Sequence, residues 1–243
     1  MQIAVLSDLH LGRKNALDQF YRNPDAEHKL NSLLIRLEKS VDKIVLLGDI
    51  FETLRGKFPG QSSELRKILK SYPFIARRVV EDPRYFLIQG NHDLVTGKIL
   101  NARETLILKD GESSICFFHG HQVDPWYGSK LRTLVCNFGI WAGGRLEAAG
   151  MDVTRGGNLK SKAKSINGQW LPEHFEESSV KFANKMGCDI AVTGHSHHPM
   201  KVEYDSGLFL NSGTWVAGRE ELVLIDTSAG LYEVHKSIDN ILF

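Results

Sequence analysis

Cysteine is scarce in this sequence. Cys116, Cys136 and Cys188 are odd in number and lack any metal-binding spacing. That argues against a disulfide framework and for a reducing cytoplasm, with the three thiols acting as small buried apolar groups. Long hydrophobic runs are missing too. Met1-Gln2-Ile3-Ala4-Val5-Leu6 is apolar, but it is short, lacks a basic start and runs straight into Ser7-Asp8, unlike a signal peptide. No stretch approaches the ~20 apolar residues of a membrane span. Charge of one sign is not in excess either. The formal net charge is +1, so there is no strong signal for a long nucleic-acid partner. Internal repeats and low-complexity segments are absent.

What is present is a globular composition over 243 residues, read as a single domain spanning 1–243. Its organisation is a repeated layout of short apolar strand followed by polar loop. Ile3-Ala4-Val5-Leu6 precedes Ser7-Asp8-Leu9-His10, and Ile44-Val45-Leu46-Leu47 precedes Gly48-Asp49. Phe86-Leu87-Ile88 precedes Gly90-Asn91-His92-Asp93, and Ile115-Cys116-Phe117-Phe118 precedes His119-Gly120-His121. Ile190-Ala191-Val192 precedes Gly194-His195-Ser196-His197-His198. Runs this apolar and this short, bounded by Gly or Asp, read as strands buried on both faces.

Helical spacing separates the early strands. Leu30, Leu33, Leu34 and Leu37 share one face of 25–39, and Leu65, Ile68 and Leu69 one face of 62–70. Beyond Pro199 the pattern alternates over 200–204, 208–210, 222–226 and 231–235, as in antiparallel strands. The stretch of about 122–169 has no clear strand and one amphipathic piece at 130–140, with Leu131, Leu134, Val135 and Phe138. It reads as a helical cap inserted over the sheet edge. The fold class is therefore α/β, with central strands and helices outside.

In open α/β sheets ligands bind beyond the carboxyl ends of the strands. Five strands deliver Asp8, His10, Asp49, Asn91, His92, His119, His195 and His197 to that rim, and seven of the ten histidines fall in these loops. Asp8 and His10 are two apart, as are His195 and His197, so in extended backbone each pair shares a face and can grip one ion. Nitrogen and oxygen donors without thiolates suit Mn, Fe or Zn. The donors are too many for one tetrahedral zinc. Two ions sharing a carboxylate fit better, with Asp49 as the bridge.

In order, the motifs Asp-x-His, Gly-Asp, Gly-Asn-His-Asp, His-Gly-His and Gly-His-x-His over residues 8–197 resemble the calcineurin-like metallophosphoesterase superfamily. The resemblance implies a four-layered α/β/β/α sandwich and a dinuclear centre, with manganese the first choice, that hydrolyses phosphate esters. It implies Asp8, His10, Asp49 and His197 on one ion, and Asp49, Asn91, His119 and His195 on the other. His121 would sit beside these ligands. Two ions about 3.5–4 Å apart can neutralise phosphate oxygens and generate a bridging hydroxide. A proton for the leaving group then has to come from His92, with Asp93 aiming its imidazole.

Substrate is less legible. The stretches Ser7–Leu11 and Gly48–Glu52 and the late insertion are similar to UDP-2,3-diacylglucosamine hydrolases, which usually carry Arg where this chain has His92. His92 fits general phosphatases and phosphodiesterases of small phosphorylated substrates, and the near-neutral charge leaves nucleotides open. The lysines Lys160, Lys162 and Lys164 read as a solvated face, and Trp126 and Tyr127 either as loop packing or as a stacking surface for a base or sugar. Arg145 and Arg155 are candidate phosphate clamps. The apolar cap piece offers a peripheral lipid contact. A metal-binding scaffold without catalysis is the competing class, and its signature would be a lost ligand or a lost general acid.

Overall fold

A computed structural model describes residues 1–127, 129–149, 164–166, 169–171, 174–239 and 241. The chain begins β1 (Gln2–Leu6), α1 (Ala26–Ser40), β2 (Lys43–Leu47), α2 (Ser62–Ser71), α3 (Pro73–Glu81) and β3 (Tyr85–Ile88). It continues α4 (Thr96–Leu100), β4 (Thr105–Asp110), β5 (Ser113–Phe118), a 3-10 turn (Pro125–Tyr127) and α5 (Lys130–Ala148). Then come β6 (Lys164–Ile166), β7 (Gln169–Leu171), α6 (Phe175–Lys185) and β8 (Ile190–Thr193). The last strands are β9 (Met200–Tyr204), β10 (Gly207–Asn211), β11 (Leu222–Asp226) and β12 (Leu231–His235).

Two five-stranded sheets form the centre, ordered β12-β11-β1-β2-β3 and β4-β5-β8-β10-β9. In the first, β1, β2 and β3 run parallel, β11 is antiparallel to β1, and β12 is antiparallel to β11. In the second, β5, β8 and β10 run parallel with antiparallel edges β4 and β9. The period of two along each strand sorts the side chains into layers. Ile3, Val5, Val45, Leu47 and Ile88 pack against Ile115, Phe117, Val192 and Leu210 between the sheets. Ala4, Leu6, Ile44 and Leu46 face the other way, onto Leu30, Leu33, Leu34 and Leu37 of α1 and Leu65 and Ile68 of α2. Cys116, Phe118, Ala191 and Phe209 meet Phe175, Val180 and Ala183 of α6. Helices, sheet, sheet and helix make the four layers that the sequence implies, and each fully buried Leu, Ile or Val contributes ~1.5–3 kcal/mol of transfer free energy.

Local sequence explains the boundaries. Helix α1 places Glu27 in its first turn and Lys39 in its last, complementing the helix dipole. Pro73 starts α3 directly after α2, because proline is tolerated at a first helical position and not in an interior. The strand β4 was not expected from sequence; Ile107 is exposed and the run Leu106-Ile107-Leu108 alternates weakly.

The inserted region differs from expectation in two ways. It holds a short hairpin, β6 paired with β7, where the sequence suggested no strand. Strands of three residues are too short to show a period. Helix α5 is present and longer than expected, but Leu131, Leu134, Val135 and Phe138 are exposed instead of facing the sheets. Its attachment is through other residues: Arg145 donates to the carbonyls of Gly56 and Lys57, and Trp141 Nε1 to that of Lys57. Arg145 thus ties the helix to the loop after β2. Cys136 on this helix is half-buried, while Cys116 and Cys188 are buried as expected. Arg155, Lys160 and Lys162 lie outside the described residues, as does the side chain of Lys164. No helix among the described residues is long and apolar enough to cross a membrane.

Candidate metal centre

Both sheets aim the carboxyl ends of their parallel strands at one cluster. Asp8 and His10 follow β1, Asp49 follows β2, Asn91 and His92 follow β3, His119 follows β5, and His195 and His197 follow β8. The loops adopt unusual backbone there. Asp8, His10, Asp49, His195 and His197 all have φ between 48 and 65°, the left-handed region. Asp and His tolerate it better than most residues. The side chains accordingly do not follow the extended alternation assumed for the Asp8–His10 and His195–His197 pairs, yet Asp8 and His10 still converge.

Glycine in the motifs has a steric reason. A Cβ on Gly90 would lie 2.0 Å from Asp49 Oδ1 and 2.1 Å from Asp49 N. One on Gly194 would lie 2.5 Å from Asp8 Oδ2. Gly90 makes room for the acidic residue after the neighbouring strand β2, and Gly194 for the one after β1 of the other sheet.

Asp49 sits at the middle. Its Oδ2 is 3.3 Å from His119 Nε2, 3.9 Å from His92 Nε2 and 4.0 Å from His10 Nε2. Its other oxygen accepts the His92 backbone N–H at 2.8 Å. On one side His197 Nε2 is 3.0 Å from Asp8 Oδ1 and 3.3 Å from His10 Nε2. On the other, Asn91 Oδ1 is 3.1 Å from His119 Nε2. Donor atoms of Asp8, His10 and His197, of His10, Asp49 and His92, and of Asp8, Asp49 and His119 form three groups, each within 4.8 Å. Asp8 Oδ1 is buried without a hydrogen bond. A buried carboxylate oxygen left over among imidazole nitrogens is what a divalent cation satisfies, so the residues fit a metal.

Other side chains aim the ligands. His119 Nδ1 bonds the Leu47 carbonyl at 2.9 Å, and His195 Nε2 bonds Asp124 Oδ2 at 2.8 Å. His195 belongs to none of the three groups, and with Nε2 on Asp124 only its Nδ1 would be open to an ion. Fixing a ligand ring by its other nitrogen is a common device in metal sites. Asp124 had no sequence signal beyond its place in the loop after His121. The His121 ring lies tilted beside His119 and edge-on to His195, and its Nδ1 is buried with no hydrogen-bond partner among the described residues. Tyr127 OH accepts from Asn91 Nδ2 at 3.1 Å, so this aromatic belongs to the site, whereas Trp126 is exposed.

Asp93 does not aim His92. Its carboxylate accepts the backbone N–H of Gly90 at 2.7 Å, of Ile50 at 2.9 Å and of Phe51 at 3.1 Å, which ties the loop after β3 to the loop after β2. The carboxylate on the His92 ring is that of Glu52, at 2.8 Å from Nδ1. The signal was available: Glu52 follows Asp49 by three residues in the quoted stretch Gly48–Glu52. Adjacency in sequence favoured Asp93, but consecutive residues at a turn point apart.

Charge in the cluster follows from these contacts. Burial works against ionised Asp8, yet His197 and His119 outweigh it and lower its pKa to about 2. Asp49 is likewise held well below the ordinary carboxylate range, against burial, by His119 and His92. Burial disfavours the imidazolium of His92, but Glu52 and Asp49 outweigh it and raise its pKa to about 9. Burial lowers His10 and His195 and, with the nearby His119 and His195, brings His121 down to about 3. Burial and the Asp49 charge raise Asp93 to about 7.

The cluster opens into a cavity of about 470 Å³ lined by His92, Arg55 and Tyr127 and by Ile140, Gly143 and Gly144 of α5. With fold and geometry defined, comparison with known proteins places the chain. A sequence model of the family described as calcineurin-like phosphoesterase matches residues 1–199, and the chain belongs to that family. A search of curated proteins found no match. Among solved structures it is similar to YfcE, a phosphoesterase from E. coli, at 14% identity and TM-score 0.46, covering 97% of this chain and 99% of that one. It is similar to Vps29 from Chaetomium thermophilum at 16% identity and TM-score 0.47, covering 96% and 94%. The Zn-complexed Vps29 of Entamoeba histolytica matches at 16% identity and TM-score 0.44, covering 97% of each chain. Likeness at this level carries no chemistry from those proteins to this chain.

Proposed function

We propose that the protein hydrolyses phosphate esters at a centre of two divalent ions built around Asp49. The observation that carries the reading is Asp49 Oδ2, which lies within 4.0 Å of imidazole nitrogens from three separate loops. Asp8, His10 and His197 would hold one ion together with Asp49. Asn91, His119 and His195 would hold the other, again with Asp49. When bound, such ions neutralise phosphate oxygens and make water a nucleophile near neutral pH. Manganese is the proposed metal, and iron or zinc suits the same donors.

The chain's own residues supply the rest. His92 carries a proton on Nε2 while Nδ1 is fixed by Glu52, so it protonates the departing oxygen. Its raised pKa keeps it charged at neutral pH. Arg55, with Nε 3.9 Å from Glu52 Oε2, adds a fixed positive charge to the same wall. Asp124 and the Leu47 carbonyl hold His195 and His119 in one orientation. The presence of both His92 and its carboxylate favours catalysis over a silent scaffold, and a cytoplasmic setting suits the free thiols.

The test is turnover of 4-nitrophenyl phosphate and bis(4-nitrophenyl) phosphate by metal-stripped protein resupplied with Mn, Fe(II), Zn or Mg. Metal-dependent hydrolysis lost in Asp49→Asn and His92→Ala is expected. Metal binding without hydrolysis of either ester would favour the scaffold.

A further inference from the structure

A second cavity, of about 480 Å³, is lined in part by His197 and does not reach His92. Gln19, Arg22 and His197 line both cavities, so the two adjoin at these residues, beside the candidate ligand His197. The second is completed by Asn23, Val216, Ala217 and Gly218, and His92 is not part of it. The cavity that holds the cluster thus continues past His197 into a second arm. The arm under α5 holds the proton donor, and the other holds none.

In-line displacement places the leaving group beside its acid and the retained substituents away from it. A phosphate monoester has a single organic group, and that group would occupy the His92 arm. The Arg22 arm would then go unused. Its wall is polar at Gln19, Arg22 and Asn23 and mildly apolar at Val216, which is 8% exposed. That lining suits a hydroxylated, partly apolar group such as a nucleoside or glyceryl unit, while the glycine-walled arm under α5 accepts the group that departs. A Cβ on Gly143 would meet nothing within 4 Å, so that wall leaves space next to the helix backbone.

We infer that the substrate is a phosphodiester, its leaving group held under α5 beside His92 and its retained group held by Arg22 and Asn23 in the second cavity. This rests on the phosphoesterase reading above. The reaction breaks the bond between phosphorus and the departing oxygen and forms one to oxygen from water. His92 gives its proton to the departing oxygen, the proton lost by the water passes to solvent, from which His92 is reprotonated, and the product keeps the second ester bond.

Three substrates with one leaving group test it: 4-nitrophenyl phosphate, methyl 4-nitrophenyl phosphate and thymidine 5′-(4-nitrophenyl) phosphate. With Mn-loaded protein, kcat/KM is expected to be at least about tenfold higher for the thymidine diester than for the methyl diester, and higher than for the monoester. Arg22→Ala and Asn23→Trp, with unfolding temperatures confirming the fold, should bring the thymidine-to-methyl ratio of kcat/KM down to within about threefold of one. Equal rates for the two diesters, a preference for the monoester, or an advantage that survives both variants would overturn the inference while leaving a phosphoesterase. No metal-dependent turnover of any of the three would remove the phosphoesterase reading and this inference with it.

Discussion

Glu52 Oε2 lies 2.8 Å from His92 Nδ1 and 3.3 Å from His10 Nδ1, so one buried carboxylate orients two imidazoles of different function. In the proposed reaction His10 would face the ions and His92 the departing group. Glu52 itself is driven below the usual carboxylate range, against its burial, by His92 and His10.

Replacing Glu52 by Gln keeps the shape and removes the charge. The general acid must be protonated, so activity is lost as pH rises through the His92 pKa, which Glu52 and Asp49 raise, against burial, to about 9. In Glu52→Gln the basic limb of the kcat profile is expected to move down toward the ordinary value of 6.5, with kcat reduced about 10–100-fold. An unmoved basic limb would remove Glu52 from this role.

Asp93→Ala is expected to act on stability instead. Three buried backbone N–H groups, of Gly90, Ile50 and Phe51, lose their acceptor together. At ~1–3 kcal/mol per unsatisfied group the loss should exceed about 3 kcal/mol in denaturant unfolding. A basic limb unshifted in the residual activity separates this from the Glu52 effect.

Asp124→Asn probes the hold on His195. Losing the charged partner of Nε2 should weaken metal binding about 10–100-fold, read by calorimetric titration of stripped protein with Mn. Unchanged affinity would mean that His195 needs no such anchor.

Gly90→Ala puts a methyl where Asp49 Oδ1 and N already lie, 2.0 and 2.1 Å from the new carbon. One strand end has to move, and misplacement by ~1 Å costs on the order of 10²-fold in rate. Activity and metal content are expected to fall together, which a comparison of the two readouts decides.

His121 gives a pH dependence away from the chemistry. Burial, with His119 and His195, lowers its pKa to about 3, so the folded protein keeps it neutral where an unfolded chain takes up a proton below 6.5. The unfolded state then binds more protons, and stability falls as pH drops from 6.5 toward 3. His121→Leu should flatten that slope in urea unfolding measured across the window.

Much of this was legible in the sequence because the strands are buried on both faces. Val5, Val45 and Val192 sit among unbroken apolar runs, and each run ends in a polar motif that the sheet order then brings together. Asp8, His10, Asp49, Asn91, His119 and His197 could be named from that alone. What the strand pattern could not carry was direction within a turn. Asp93 is next to His92 in sequence, but its oxygens turn to backbone, and Glu52 reaches the ring from a different strand. Asp124 and Tyr127 were hidden for a similar reason: a short loop has no period to read. The apolar positions of α5 misled in the opposite sense. Leu131, Leu134, Val135 and Phe138 have helical spacing, which reveals a face but not what lies against it.

The five cluster residues with left-handed backbone set selection for activity against selection for stability. A non-glycine residue held there costs roughly 1–2 kcal/mol relative to an ordinary conformation, and Asp8, His10, Asp49, His195 and His197 all occupy it. Any process that rewards resistance to heat alone, such as a thermal screen on metal-free protein, would find relief by placing Gly or Asn at His10 or His197. Survivors of such a screen would be the easier proteins to purify and the poorer ones at chemistry. Library designs built on this scaffold should therefore exclude these five positions from stability scoring.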